Sequence, residues 1–155
     1  MTNLAPVSDL QFRTVQPVGS EAALLDWQHI HNLIIPTATL SVDEIVVRAQ
    51  RNILEVAYVE GSPVGCSTVR PPESDAAAAT VIARVLPGHR RHGYGEQIYQ
   101  QGLARARDLG AQVIDTVVLA SNDDGLRFAR QHGFVEIERY VLPGDTVPFV
   151  DLRLA

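Results

Sequence analysis

The sequence predicts one domain of mixed α/β class, and three observations lead to that prediction. Apolar runs typical of strands alternate with amphipathic runs typical of helices along all 155 residues. A glycine-rich turn at residues 88–95 joins a predicted strand directly to a predicted helix. Glycine and proline turn signals separate other strand-like runs, which favours hairpins beside that strand–helix unit. We therefore expect a mixed sheet, with residues 1–155 as a single domain.

The chain begins with a predicted strand and a predicted helix. Residues 10–17 carry the weaker of the two patterns, that of a strand. Residues 20–33 have the apolar spacing of a helix, with Ser20 as its cap. Pro36 is expected to end this helix, because proline lacks the N–H that a continuing helix needs.

A second helix is predicted over residues 42–51. It follows Ser41-Val42-Asp43-Glu44, a capping box. In this motif the serine side chain accepts from the third helical N–H, and the glutamate accepts from the serine N–H.

Three strands follow, because β-branched and apolar residues cluster between turn signals. Residues 61–63 are predicted as the turn of a hairpin, and residues 71–75 as a loop. The predicted strands are residues 52–59, 64–70 and 79–86.

The last part of the chain predicts two helices and three strands. Strands 79–86 and 111–120 enclose a helix, so they should pair in parallel through a right-handed crossover. Gly110 and Gly133 are placed to stop the two helices. The predicted elements are helix 93–109, buried strand 111–120, helix 123–132 and strands 134–142 and 147–154.

Composition restricts the partners and the compartment. The 13 Lys and Arg residues against 18 Asp and Glu residues give a net charge of −5, which does not favour nucleic acid as the main partner. Residues 1–8 lack the pattern of a secretory signal, and no apolar run is long enough to span a membrane. The single cysteine, Cys66, excludes an intrachain disulfide and fits the reducing cytoplasm.

The turn after strand 79–86 has the composition of an anion site. Glycine at positions 88, 93 and 95 lets backbone N–H groups converge at a helix N-terminus, where phosphate binds readily. Arg90 and Arg91 add positive charge at the same place. A phosphorylated ligand is therefore expected here.

Three alternatives compete with that interpretation. The turn could be a plain strand-to-helix connection. A dinucleotide site would need three glycines at another spacing and an acidic residue about 20 positions on. A nucleoside-triphosphatase loop would need a lysine followed by serine or threonine, which is missing.

Two motifs together resemble the GNAT superfamily of N-acyltransferases. The first is Arg90-x-x-Gly93-x-Gly95 after a strand ending in Val85. The second, Asn122 to Phe134, resembles that family's asparagine, short helix and closing Gly-Phe. The element order is also similar, and the resemblance covers residues 10–154.

The resemblance implies a mixed sheet of about six to seven strands, flanked by about four helices, with a central splayed β-α-β acyl-CoA site. It implies acetyl-CoA as co-substrate, and it implies that the N–H of Val85 stabilises the developing oxyanion. It implies no metal. The residues implied to bind the co-substrate are Val85, Arg90, Arg91, His92, Gly93, Tyr94, Gly95, Glu96, Asn122 and Phe128.

The residues that move protons are less clearly indicated. The tyrosine that many members use as general acid is replaced by Ala129, and the strand over residues 80–85 lacks the usual glutamate. Glu55 is the candidate base, since burial would raise its pKa. Alternatively, Glu55 is solvated and has no catalytic role. A chain of water molecules leading to backbone carbonyls is another possible route for the proton.

The first two helices of the family wall the acceptor pocket, which makes Trp27 and His31 candidates for substrate binding. Trp27 also fits a core position. His29 and His31 lie two residues apart and do not share a helix face, which argues against a metal pair. Cys66 is interpreted as a small buried residue.

The resemblance implies an N-acetyltransferase that moves an acetyl group from acetyl-CoA directly to the primary amine of a small molecule or a peptide. A catalytically weak acyl-CoA sensor is the alternative, since the usual tyrosine and glutamate are missing. A nucleotide-binding domain that only mimics the turn ranks third. No membrane partner is expected, and a homodimer is compatible with strands at the chain end.

Overall fold

The computed structural model describes residues 10–19, 21–73 and 77–155, and the element order agrees with the sequence prediction. The α-helices are α1 (Ala22–Ile34), α2 (Val42–Arg51), α3 (Tyr94–Asp108) and α4 (Asp123–Gln131). The strands are β1 (Gln11–Thr14), β2 (Ile53–Val59), β3 (Ser62–Glu73), β4 (Ala78–Val85), β5 (Val113–Leu119), β6 (Phe134–Tyr140) and β7 (Phe149–Leu154).

All seven strands form one sheet in the order β1-β2-β3-β4-β5-β7-β6. Strands β4 and β5 are parallel and are joined through α3, as the sequence predicts. The other neighbouring strands pair antiparallel. The mixed sheet and its four helices therefore confirm the predicted fold class.

Three local predictions need correction or remain open. The turn between β2 and β3 is carried by Glu60 and Gly61, both at positive φ, which is the backbone of a tight two-residue hairpin. Strand β3 continues to Glu73 through the predicted loop, because a register shift after Arg70 accommodates the two prolines there. Ser20 lies outside the described residues, and Glu21 stands at the N-cap of α1.

The helix ends follow the sequence signals closely. Ser41 and Glu44 form the predicted capping box at the start of α2. Helix α1 ends before Pro36. Gly110 and Gly133 follow α3 and α4 with φ of +92° and +91°, a conformation that glycine adopts without steric cost.

The sheet separates two apolar cores. Helices α1 and α2 cover one face of the sheet through residues such as Trp27, Ile30 and Ile45. Helices α3 and α4 cover the other face through residues such as Leu103 and Leu126. Each core packs against one face of the sheet, so the central strands are covered on both faces.

Gly65 is required where α3 crosses the sheet, which yields a stability prediction. A Cβ at Gly65 would lie 2.4 Å from the carbonyl oxygen of Arg84 and 2.6 Å from Ile98 Cδ1. Gly65→Ala should therefore lower the free energy of unfolding by about 2 kcal/mol in urea denaturation, since backbone must move to admit the methyl group. Gly88→Ala is the matched control, because a Cβ there meets nothing within 4 Å. Equal stability of the two variants would contradict this packing.

Candidate active site

The central feature of the molecule is a cleft between the two parallel strands. The β4–β5 ladder contains only three pairs and ends at Thr80–Asp115. Beyond that pair the strands separate, and a cavity of about 540 Å³ lies between residues 81–85 and residues 116–119. The sequence resemblance predicts this separation, and the structure confirms it.

The backbone of Val85 faces this cleft. The next residue, Leu86, donates its N–H to the carbonyl of Val64 on β3 at 2.8 Å. On the opposite edge, Arg90 Nε donates to the carbonyl of Val85 at 3.1 Å. The N–H and C=O of one strand residue point the same way, so the Val85 N–H also lies on the cleft side.

The N-terminus of α3 closes one end of the cleft. Gly93 is the N-cap with φ +80°, and Arg91 also adopts positive φ at +67°. The first helical N–H groups lack partners within the helix and are aimed out of its end. With Arg90 and Arg91 lining the same wall, this end of the cleft is suited to an anion.

Asn122 and Phe128 bound the cleft from the α4 side. Asn122 Oδ1 accepts from the Gly125 N–H at 2.9 Å and so caps α4. A Cβ at Gly125 would lie 2.6 Å from Asn122 Nδ2, which explains the glycine. No hydrogen bond joins this Nδ2 group to any residue that the structure describes, so its N–H groups are available to water or to a ligand.

A histidine–glutamate pair lies beside Phe128. His132 Nε2 donates to Glu96, and Nδ1 donates to the Phe128 carbonyl at 2.8 Å. Because both ring nitrogens face acceptors, this arrangement stabilises the imidazolium form of His132. Burial lowers the pKa of His132, but these two hydrogen bonds outweigh burial and raise it. Hydrogen bonds from Gln100 and His132 lower the pKa of Glu96.

The sequence analysis assigned no functional role to His132, which ends the predicted helix 123–132. Its partner is 36 positions away, on α3, and no local spacing connects the two. The contact joins the starting turn of α3 to the last turn of α4 across the cleft.

Most residues predicted to bind the co-substrate are brought together here. His92 is the exception, because it is exposed and its ring stacks on Tyr94 with a centroid distance of 5.5 Å. The predicted residues that line the cleft are Val85, Arg90, Arg91, Gly93, Tyr94, Gly95, Glu96, Asn122 and Phe128.

Glu55, the candidate base, is not placed at the cleft. Strand alternation turns it toward α3, where its side chain is 2% exposed. Its carboxylate pairs with Arg105 at 2.9 Å and accepts from the Thr14 hydroxyl at 3.2 Å. Glu55 is thus buried, but its carboxylate forms an ion pair with Arg105 on the α3 face of the sheet.

Trp27 and His31 also do not line the cleft. The Trp27 indole N–H donates to the Ser67 carbonyl at 3.1 Å, and the His31 ring stacks on the indole at 5.1 Å. Both side chains belong to the core beneath α1. Burial lowers the pKa of His31 to about 4, so this ring is neutral at pH 7. Ile34 and Ile35, at the end of α1, line the cleft in their place.

Two further sequence interpretations agree with the structure. Burial raises the pKa of the Cys66 thiol to about 12, so it is not a nucleophile at neutral pH. Ala129 is 3% exposed, in the core beside the cleft, and offers no hydroxyl.

The cleft has a second mouth, on the sheet face covered by α1 and α2. Strand alternation places Ile82 and Arg84 of β4 on that face, with Leu119 and Phe149 opposite them. The sequence analysis assigned no role to these residues, because the alternation shows that a strand has two faces without showing which one meets the cleft.

Asp151 lies near this second mouth. It pairs in register with Val117, which lines the cleft, and its Oδ1 accepts from the Tyr140 hydroxyl at 3.2 Å. Burial raises the pKa of Asp151, although the Tyr140 hydrogen bond lowers it.

No helix within the described ranges is long and apolar enough to cross a membrane. Residues 10–19, 21–73 and 77–155 contain no group of three or more His, Cys, Asp or Glu side chains arranged to hold a metal ion.

Comparison with known proteins identifies a family and a shared fold. The acetyltransferase (GNAT) family model matches residues 20–134. No curated protein matches the chain. Solved structures that resemble it at 14–17% identity show the same fold.

Three of these structures illustrate the likeness. An N-acetyltransferase from Staphylococcus aureus has a TM-score of 0.72 and 16% identity, covering 95% of this chain and 98% of that one. A ribosomal-protein-alanine N-acetyltransferase from Brucella melitensis has a TM-score of 0.72 and 17% identity, covering 92% and 98%. A GNAT family acetyltransferase from Elizabethkingia anophelis with acetyl-CoA bound has a TM-score of 0.71 and 14% identity, covering 94% and 97%.

The His132–Glu96 pair gives a pH prediction. Glu96→Gln removes the carboxylate that favours the imidazolium, so the pKa of His132 should fall in an NMR titration of the histidine ring. Because the pKa of His132 is raised in the folded state, the pair stabilises the fold below pH 6.5, and this contribution is lost as pH rises through the folded pKa. It is also lost in acid, as pH falls through the lowered pKa of Glu96.

The stability difference between wild type and Glu96→Gln should therefore be larger at pH 6 than at pH 9. Glu136→Gln is the control, because it breaks an exposed pair with Arg139, whose charge does not titrate in this range. An unchanged His132 pKa in Glu96→Gln would contradict the assignment.

Proposed function

Because the chain belongs to the GNAT acetyltransferase family, we propose that it transfers an acetyl group from acetyl-CoA directly to the primary amine of an acceptor. The observation that carries this proposal is the separation of β4 and β5 beyond Thr80–Asp115, with the N-terminus of α3 at the end of the gap. One feature supplies unpaired strand backbone, and the other supplies an anion site.

The turn from Arg90 to Glu96 fits the pyrophosphate of the co-substrate. The N–H groups at the start of α3 and the guanidinium groups of Arg90 and Arg91 face the same end of the cleft. Each charge-assisted hydrogen bond to phosphate contributes about 1.5–3 kcal/mol. Gly95 keeps the approach open between Val85 and Phe128, since even a Cβ there would already touch both side chains.

The gap between the strands fits the amide-bearing arm of the co-substrate. Residues 81–85 present backbone groups that no strand pairs on the β5 side, within the described chain. An extended chain with amide groups can add to such an edge as a strand would. Asn122 Nδ2 offers a further donor from the opposite wall.

Bound acetyl-CoA supplies a thioester whose carbonyl carbon forms a bond to the amine nitrogen while its bond to sulfur breaks. The Val85 N–H, on the cleft side of β4, donates to the carbonyl oxygen as it gains negative charge. Ala129 supplies no proton for the departing sulfur. None is required, because a thiol with a pKa near 8.5 leaves readily as thiolate.

The acceptor must lose a proton, since an alkyl ammonium has a pKa of about 10. Glu55 is held by Arg105 behind the sheet, so it cannot receive this proton directly. We assign the role to Asp151, reached through water from the second mouth, because burial raises its pKa toward the working range. The Tyr140 hydroxyl holds this carboxylate in place.

The co-substrate site is tested by two aspartate variants on one helix. Gly93→Asp places a carboxylate beside the unpaired N–H groups at the start of α3, where it would compete with and repel the phosphates. The substitution should weaken acetyl-CoA binding at least tenfold in calorimetry. Gly110→Asp is the matched control, since Gly110 ends the same helix at φ +92°, close to the +80° of Gly93. Wild type should bind acetyl-CoA and CoA but not ATP. Equal affinity in both variants would place the phosphates elsewhere.

The transfer itself is tested by thiol release. With acetyl-CoA, the wild-type protein should release free thiol only when an acceptor amine is added, in a one-to-one ratio with acetylated amine. Release without amine would indicate hydrolysis. Tight acetyl-CoA binding with no release across a broad amine panel would instead identify an acyl-CoA sensor.

A further inference from the structure

Arg84 is a half-buried cation at the second mouth of the cleft, and it is not used by the co-substrate site described above. It lies one residue before Val85, on the strand face opposite α3. Its side chain therefore enters the cleft from the side away from the phosphate-binding turn. Its register partner is Cys66, which packs in the core beneath α1 and α2.

Within the part of the chain that the structure describes, the guanidinium of Arg84 has no acidic partner. Arg84 belongs to none of the ion pairs among residues 10–19, 21–73 and 77–155. Burial lowers the pKa of Arg84. The Cys66 thiol acts on the guanidinium electrostatically and raises this pKa, whereas two further cations, Arg70 on β3 and Arg48 on α2, lower it.

The surroundings make an unpaired charge costly. Ile34, Ile35, Ile82 and Phe149 line the cleft together with Arg84, so apolar side chains share the surroundings of its charge. A cation in apolar surroundings beside like charges destabilises the fold unless an anion compensates it. By contrast, Arg105 and Arg153 each pair with a carboxylate of the protein.

We infer that Arg84 binds a carboxylate of the acceptor, so that the acceptor is an amino acid or another amine that carries a carboxylate. The planar guanidinium fork matches a carboxylate with two parallel hydrogen bonds. Because Arg84 directly precedes Val85, a carboxylate held there keeps the acceptor next to the N–H proposed to stabilise the reacting oxygen. Arg70 and Arg48 strengthen the preference for an anion.

Asp151 supplies a negative charge on the sheet face of the second mouth. Asp151 lies on the same sheet face as Phe149, two residues along β7. Arg70 interacts electrostatically with both Arg84 and Asp151, so both side chains lie within electrostatic range of the same arginine. A zwitterionic acceptor fits this arrangement better than a polyamine, which the three arginines would repel.

This inference rests on the proposed function, and the experiment separates the two. Acetyl-CoA affinity of wild type, Arg84→Gln and Arg84→Lys is measured first by calorimetry. Acceptors are then compared in pairs that differ only in the carboxylate: phenylalanine with phenethylamine, and leucine with isoamylamine. Arg51→Gln is the matched control, since it removes one exposed arginine at the end of α2.

Wild type and Arg51→Gln should prefer the carboxylate-bearing acceptor at least tenfold in kcat/KM. Arg84→Gln should lose that preference, and Arg84→Lys should keep only part of it. All variants should bind acetyl-CoA within twofold of wild type. Arg84→Gln should melt no lower than wild type without ligand, because it removes an uncompensated charge.

A binding readout keeps the test independent of turnover. With CoA present, N-acetyl-phenylalanine should raise the melting temperature of wild type but not of Arg84→Gln, and N-acetyl-phenethylamine should raise neither. Failure of wild type to bind acetyl-CoA would overturn the proposed function. Normal acetyl-CoA binding without discrimination between paired acceptors or products would overturn the assignment of Arg84 alone. Loss of acetyl-CoA affinity in Arg84→Gln would also overturn it, by placing Arg84 in the co-substrate site.

Discussion

The parting of β4 from β5 is the constraint on which the rest of the site depends. Each strand is anchored on its outer side, β4 by an extended ladder with β3 and β5 by five pairs with β7. The two halves can therefore separate without either strand losing its place. The cost is a stretch of backbone without a strand partner, and buried backbone groups in proteins are nearly always paired. A ligand with its own amide groups would offset that cost, which is why we propose the gap as the binding site.

Charge is arranged around this gap in two separate groups. The turn proposed to bind phosphate has Arg90 and Arg91 just before α3, on one side of the sheet. Arg84 enters from the other side, on the sheet face that also carries Asp151. The exposed pair Arg127–Asp124 contributes little to stability, as is usual for surface ion pairs. Although the net charge of the chain is −5, arginine side chains line the cleft on both sides of the sheet.

The sequence predicts the local features well, because their signals are local. The capping box at Ser41 and the helix stop at Gly110 each depend on neighbouring residues, and both are confirmed. Side-chain pairing over long distances could not be predicted. Glu55 meets Arg105 across 50 positions, and Glu96 meets His132 across 36. Alternation along β2 and β4 indicates two faces, but only the tertiary fold decides that Glu55 faces α3 and that Arg84 faces the cleft.

Amide hydrogen exchange along β4, with and without acetyl-CoA, tests the central claim most directly. The N–H groups of Ala83 and Val85 lie on the cleft side, whereas that of Arg84 alternates toward β3. If the co-substrate completes the open edge, exchange at positions 83 and 85 should slow by at least tenfold on binding, with little change at position 84. Binding of acetyl-CoA with unchanged exchange at positions 83 and 85 would show that the gap between the strands is not where the ligand lies.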